Sequence, residues 1–168
     1  MSKAVLISIQ PKWCEKIANG EKTVEVRKAR PKLNTTFKCY IYCTKPKFPH
    51  EDHITLFNKQ KCFYAGGFVI GEFVCDEIRD FKVLRNGDIQ DYYYADLDYA
   101  CLDALEIGKY IGSNQVGYSW GISDLGIYDT PKLLSEFTGL WETKFGFAPV
   151  PITRAPQSWR YVEELPKM

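Results

Sequence analysis

The sequence lacks an excess of charge of either sign. Its 22 Lys and Arg residues nearly balance its 21 Asp and Glu residues, and the formal net charge is +1. A field over the whole surface that would attract nucleic acid is therefore excluded, so any such binding must come from a local basic patch. Bases outnumber acids in residues 1–37, where we expect this patch, whereas residues 76–103 are acidic.

The sequence also lacks a hydrophobic run long enough for a membrane span or a signal segment. The apolar stretch near the start, residues 5–9, is far too short for either. Six cysteines, at positions 14, 39, 43, 62, 75 and 101, could form an even set of disulfides, but no Cys-x-x-Cys occurs among them. We therefore expect a cytoplasmic protein with free thiols and no membrane association.

Motifs of several enzyme classes are missing. There is no Gly-x-Ser-x-Gly and no phosphate-binding glycine loop that ends in Lys-Ser/Thr, so neither a serine hydrolase nor an NTP site is predicted. Cys39, Cys43, His50 and His53 could offer four zinc ligands, but their spacings differ from those of zinc fingers. We predict no metal and no cofactor, and interpret these residues as buried thiols and solvated loop histidines.

With 168 residues, the chain is expected to form one domain with its own core. Aromatic residues make up 15% of it, which suits sheet packing or base stacking. Apolar periodicity predicts several strands and few helices, and thus an α+β fold. Strands are predicted over 3–9, 38–43, 68–78 and 118–128 and at the end of the chain, helices over 11–18 and 98–107, a helical turn over 131–137, a loop or insertion over about 45–62, and irregular structure over 139–153.

The most informative stretch is residues 20–31, which follows the first helix and is predicted to be a strand. In an extended chain, alternation places Thr23, Glu25 and Arg27 on one face and Lys22 on the other. Burying such charges is costly unless they pair or face a water-filled pocket, so this is where we expect a site. The structural alternative is a ladder of surface charges, which contributes little to stability.

Separated segments of the chain, taken in order, resemble the ASCH domain family, whose members have a PUA-like barrel. The matching segments are residues 6–12 (LISIQPK), 17–28 (IANGEKTVEVRK), 69–73 (VIGEF), 118–123 (YSWGIS) and 154–162 (RAPQSWRYV), and residues 127–137 are similar to phage-type and bacterial members. The resemblance covers nearly the whole chain except residues 45–62 and roughly 80–97. It implies a single domain over residues 1–168, built as a small PUA-like mixed β-barrel flanked by a few short helices.

The resemblance also implies a cleft between the first helix and the barrel, lined by the Gly20-x-Lys22-x-x-Glu25-x-Arg27 strand. Such a cleft is proposed to bind RNA or a nucleotide- or nucleobase-type ligand, in RNA metabolism or transcription regulation. An ammonium or a guanidinium can hold a phosphate, and a carboxylate can accept a hydrogen bond from an exocyclic amine. The predicted ligand-binding residues are Lys22, Glu25 and Arg27, with Tyr42 and Trp120 as stacking faces and Gln157 and Ser158 as readers of a polar base edge.

An enzyme is the alternative interpretation. One branch of the family consists of small amidohydrolases that deacetylate acetylcytidine with a lysine, a threonine and a glutamate. Lys22 matches that lysine, but Glu25 stands at the threonine position, so a carboxylate rather than a hydroxyl would have to activate water. Lys22 and Glu25 are then the catalytic candidates. Another branch has ribonuclease activity, although no histidine pair lies on this strand.

A third interpretation is a protein whose aromatic surface meets a protein partner. The sequence leaves open the oligomeric state and the role of residues 45–62. Trp120 also has a structural alternative, because tryptophans more often fill a small core than offer a stacking face.

Overall fold

The computed structural model describes residues 2–167 and shows a sheet-rich α+β protein. The strands are β1 (Lys3–Ile9), β2 (Val24–Arg27), β3 (Phe37–Cys43), β4 (His53–Leu56), β5 (Lys61–Tyr64), β6 (Val69–Val83), β7 (Ile89–Gln90), β8 (Val116–Lys132), β9 (Thr138–Thr143), β10 (Gly146–Pro151) and β11 (Trp159–Glu163). The helices are α1 (Pro11–Ala18) and α2 (Ala104–Ile111), with short 3-10 segments at Pro49–Glu51, Phe57–Lys59, Leu97–Ala100 and Leu134–Glu136.

The main sheet has the strand order β10-β9-β11-β1-β3-β6-β8-β2, with β7 paired to β6. β1 and β3 are parallel and the other pairs are antiparallel, so the sheet is mixed as predicted. Within residues 2–167, the two end strands β10 and β2 are not paired with each other. The pairing is therefore an open path, and the predicted closed barrel is not confirmed.

The alternation of β1 explains why the sheet has a core on both faces. Val5, Ile7 and Ile9 join one buried cluster, whereas Ala4 and Leu6 join another. β3 divides in the same way, with its cysteines in the first cluster and its tyrosines in the second. Because one face of the sheet buries β1 and β3 against α1, that helix is held beside the start of β2.

Helix α1 begins and ends as the sequence predicts. Pro11 is its first residue, where a proline loses no intrahelical hydrogen bond. Asn19 closes the helix, and Gly20 then adopts a φ of 78°, a conformation that glycine accepts without steric cost. This ending fixes the direction in which the chain turns toward β2.

Residues 45–62, predicted to be a loop or insertion, include β4 and the start of β5, which pair as a two-stranded antiparallel sheet. The hairpin is bonded to α1: the Asn19 side chain donates to the Thr55 carbonyl at 2.7 Å, and the Glu15 carboxylate accepts from the Thr55 amide at 2.7 Å. Residues 139–153, predicted to be irregular, form most of β9 and β10. The glycine and proline residues of this segment interrupt its apolar pattern, so the pairing of the two strands was not predicted.

The second helix begins later than predicted. Asp103 is its N-cap: the Asp103 carboxylate accepts from the Glu106 amide and the Glu106 carboxylate accepts from the Asp103 amide. Cys101 has a φ of 58°, which separates the 3-10 segment at Leu97–Ala100 from α2. Across residues 2–167, no helix is long and apolar enough to cross a membrane.

Candidate ligand-binding cleft

The chain turns into β2 in a way that brings Lys22 to the same side as Glu25. β2 spans only Val24–Arg27, so Lys22 precedes the strand and does not follow its alternation. The Lys22 Nζ lies 3.5 Å from the Glu25 Oε2, whereas Thr23 lines a hollow on the other side of the strand. The predicted faces of Lys22 and Thr23 were therefore wrong, because the alternation rule holds only within a strand.

Lys22, Glu25 and Arg27 are buried together. Their side chains are 2%, 10% and 9% exposed, respectively. The Arg27 Nε lies 3.2 Å from the Glu25 Oε1, so the carboxylate sits between two cations. The interpretation of these residues as a ladder of surface charges is excluded by this burial.

Backbone and side-chain acceptors hold both cations in place. The Lys22 ammonium donates to the Ala100 carbonyl at the end of a 3-10 segment. The Arg27 guanidinium donates to the Ser8 carbonyl at 2.7 Å and to the Ser158 hydroxyl at 3.3 Å. Segments distant in sequence therefore converge on the two cations.

The set of charges is not fully hydrogen-bonded. Among the described residues, the Glu25 Oε2 and the Arg27 Nε lack a hydrogen-bond partner, because their contacts with each other's groups and with Lys22 are close but poorly directed. A buried polar atom without a partner costs about 1–3 kcal/mol. The side chains that carry these two atoms therefore keep unused hydrogen-bonding capacity.

The three charged residues line a cavity of about 420 Å³. Its walls come from the end of β1, the start of α1, β2, α2 and the loop before β11. Trp13 of α1 and Tyr110 of α2 supply two aromatic side chains to this cleft, and the Lys22 Nζ lies 5.4 Å from the Trp13 ring centroid. Burial raises the pKa of Tyr110, and the Arg27 charge opposes that rise while the Glu25 charge adds to it.

The other predicted ligand-binding residues divide into two groups. Gln157 lines the cleft. Ser158 does not line it, but its hydroxyl accepts a hydrogen bond from Arg27, which does. Trp120 is fully buried and packs edge-on against Phe37 at 6.0 Å between ring centroids, so it presents no free face to a ligand. Tyr42 packs against the buried cluster on the other face of the sheet. Neither Trp120 nor Tyr42 therefore lines the cleft that holds Lys22, Glu25 and Arg27.

Sequence reasoning missed several cleft residues. Trp13 lies within the predicted first helix, and it both packs against the core and lines the cleft. Tyr110 lies in a glycine-spaced segment that gave no helical signal by itself. The capping box of Asp103 and Glu106 was the signal that could have extended the helix to Tyr110. Gln10, Thr44, Leu102 and Glu106 also line the cavity.

A second hollow, of about 280 Å³, lies beyond Thr23 and carries several acids. Its Arg79 is bonded to Glu77 at 2.8 Å, to Asp96 at 3.1 Å and to the Tyr94 carbonyl at 2.6 Å. Because this guanidinium is already engaged by acids and a carbonyl, the hollow has less capacity for an anionic ligand than the cleft.

Other polar residues of the sheet, and the cysteines considered as zinc ligands, have structural contacts. Glu72 is bound by Lys38 at 3.0 Å and by the Tyr128 hydroxyl at 2.7 Å. Cys39 and Cys43 are buried in the core. Over the part of the chain that the structure describes, there is no group of three His, Cys, Asp or Glu residues arranged to hold a metal ion.

Comparison with known proteins identifies the fold and the family. The structure is similar to the crystal structure of an ASCH protein from Zymomonas mobilis, with a TM-score of 0.61 and 20% identity over 96% of this chain and 88% of that one. A mutant of that protein gives a TM-score of 0.62 and 20% identity over 96% and 91% of the two chains. Curated proteins give no match. The ASCH domain family model matches residues 7–109, more than half of the sequence, and the chain therefore belongs to the ASCH domain family.

Proposed function

We propose that the cleft binds RNA or a nucleotide- or nucleobase-type ligand. The observation that carries this proposal is the buried set of Lys22, Glu25 and Arg27, which lines a cavity together with the aromatic side chain of Trp13. A nucleobase is planar, has an apolar face and carries donors and acceptors on its edge, so it matches both properties of this cavity.

The charges of the cleft favour an uncharged planar guest. Lys22 and Arg27 are balanced by Glu25 and by Glu106, which also lines the cavity. The Glu25 carboxylate can accept a hydrogen bond from an exocyclic amine, and the Arg27 guanidinium can donate to a ring nitrogen or a carbonyl. In the proposed complex the Trp13 ring stacks on the base face.

The family and the fold support the same proposal. ASCH domains are generally proposed to bind RNA. The open mixed sheet, with α1 packed beside β2, is the scaffold that presents the cleft, and we propose a PUA-like arrangement for it. The role that follows is RNA metabolism or transcription regulation in the cytoplasm.

Fluorescence anisotropy with a labelled eight-nucleotide RNA of mixed sequence, and calorimetry with the four common nucleosides, test this proposal. Trp13→Leu removes the aromatic ring and keeps an apolar side chain. Loss of stacking on one base costs about 1–3 kcal/mol, so affinity should fall by about 5- to 150-fold.

Trp141→Leu is the matched control, because Trp141 is 65% exposed on β9 and does not line the cleft. It should leave affinity unchanged. Equal effects of the two variants, or no binding by the wild type to any of these probes, would contradict the proposal.

A hydrolase acting on a modified nucleoside is the second candidate function. The observation that favours it is the 3.5 Å approach of the Lys22 Nζ to the Glu25 Oε2, since a carboxylate beside a cation can activate water. Thr44 also brings a hydroxyl into the cleft. Water would add to the acetyl carbon of acetylcytidine, and cytidine and acetate would be released.

Measuring the turnover of candidate substrates distinguishes a binding module from a hydrolase or a ribonuclease. The protein is incubated with acetylcytidine and with the labelled RNA, and released acetate and RNA fragments are measured. Acetate release that is abolished by Lys22→Met and by Glu25→Gln would favour the hydrolase, and RNA fragments that disappear in the same variants would favour a ribonuclease. RNA retained without any product would favour the binding module.

A further inference from the structure

The cleft lies next to a third hollow, of about 500 Å³. Gln10 and Thr44 line both cavities, so the two lie side by side. The walls of this third hollow, which we call the lysine groove, are the first turn of α1, residues 44–47, and Glu51 and His53 near the start of the β4–β5 hairpin. A ligand longer than one base could therefore leave the cleft by this route.

The charges of the lysine groove differ from those of the cleft. Lys12, Lys45 and Lys47 line it, against the two acids Glu15 and Glu51. Glu15 is engaged as the acceptor of the Thr55 amide at 2.7 Å. The groove thus has an excess of cations, whereas the cleft beside it does not, and a phosphate finds its favourable contacts in the groove.

Two of these lysines, Lys45 and Lys12, have side chains that contact neighbouring residues. The Lys45 side chain lies against Gly67, where an added Cβ would meet the Lys45 Cε at 2.7 Å. The Lys12 Nζ lies 4.4 Å from the centroid of the Trp13 ring, which belongs to the cleft. A base stacked at Trp13 would therefore place its attached phosphate within reach of the cations of the groove. The first turn of α1 carries no acid, so the positive end of its helix dipole is not neutralised there.

We propose that the lysine groove binds the phosphate of a nucleotide whose base occupies the cleft. The phosphate belongs either to a free nucleotide or to an RNA strand that runs out of the cleft between α1 and the β4–β5 hairpin. This inference rests on the proposed function, because the base in the cleft fixes where the phosphate lies. It assigns residues 44–47 and the hairpin a role in ligand binding.

Lys45→Ala/Lys47→Ala tests the groove, and Lys59→Ala/Lys144→Ala is its control. Both doubles remove the same charge from exposed lysines, but Lys59 and Lys144 lie outside the groove. The probes are the four common nucleosides, their 5′- and 3′-monophosphates, and the labelled eight-nucleotide RNA, each titrated at several salt concentrations.

The groove double should weaken RNA binding about tenfold at low salt, and the slope of log affinity against log salt should fall by about 0.7 for each phosphate that the protein no longer neutralises. Nucleoside affinity should not change, and the control double should retain wild-type affinity for RNA. If monophosphates bind more tightly than nucleosides and lose that advantage in the groove double, the source of the phosphate is a free nucleotide. If only RNA responds, the source is the strand.

The two proposals fail in different ways. RNA binding that depends on Trp13 but is equal in the groove double and the control double would overturn the lysine groove and leave the cleft proposal standing. Absence of binding to all probes would overturn both. Thermal unfolding of each variant shows that the fold is retained, since the substituted lysines are exposed.

Discussion

Replacing Glu25 with glutamine tests whether the three charges of the cleft behave as a buried set. The carboxylate lies 3.5 Å from the Lys22 Nζ and 3.2 Å from the Arg27 Nε, and the Lys22 side chain is 2% exposed. Glu25→Gln keeps the shape but leaves two buried cations without a counter-charge. Removing one partner of a buried ion pair costs about 3–5 kcal/mol, whereas an exposed pair contributes about 0–1 kcal/mol.

Two features of the structure place the expected loss toward the lower end of that range. Lys22 keeps the Ala100 carbonyl as an acceptor, and Arg27 keeps the Ser8 carbonyl and the Ser158 hydroxyl. We therefore expect Glu25→Gln to lower the free energy of unfolding by about 3 kcal/mol.

The double variant Lys22→Met/Glu25→Gln completes the experiment. It removes the most deeply buried cation together with the carboxylate charge, so it should be more stable than Glu25→Gln alone. Urea unfolding, extrapolated linearly to water, gives the free energy of unfolding of each variant. A loss below about 1 kcal/mol in Glu25→Gln, or a double variant less stable than that single one, would refute the buried arrangement.

Three further predictions concern the surroundings of the cleft. Trp120→Phe should destabilise the protein by about 1–3 kcal/mol through underpacking of the core, and should leave RNA affinity unchanged, as thermal unfolding and anisotropy will measure. Asp103→Ala should cost about 1 kcal/mol in unfolding experiments because α2 loses its cap; an unaltered stability would contradict the capping box. Burial raises the pKa of the Cys39 thiol, and raises that of Cys75 to about 12, so neither forms thiolate at pH 8. With a disulfide reagent at that pH the exposed Cys62 should react first, and Cys62→Ser should remove the fast phase; rapid labelling of the buried thiols would disprove their protection.

Local sequence patterns predicted the secondary structure correctly where it depends on the residues of a single strand or helix. The alternation of residues 3–9 predicted β1, and the structure divides the side chains of this strand between two cores. Pro11 and Gly20 predicted both ends of α1, since each residue restricts or permits the backbone independently of its neighbours in space. Apolar periodicity and turn residues did not predict the strands within residues 139–153. β9 and β10 are stabilised by pairing with each other rather than by the strand propensity of their residues.

The sequence alone determined that Lys22, Glu25 and Arg27 are the residues around which a site is expected, because burying such charges requires pairing or a pocket. It could not determine that Lys22 lies beside Glu25, since that depends on where β2 begins. Only the tertiary structure brought Trp13 and Tyr110 into one cavity and buried Trp120, because these positions depend on contacts between segments distant in the chain. An aromatic residue has the same local signature in a core and in a cleft wall, and packing alone distinguishes the two.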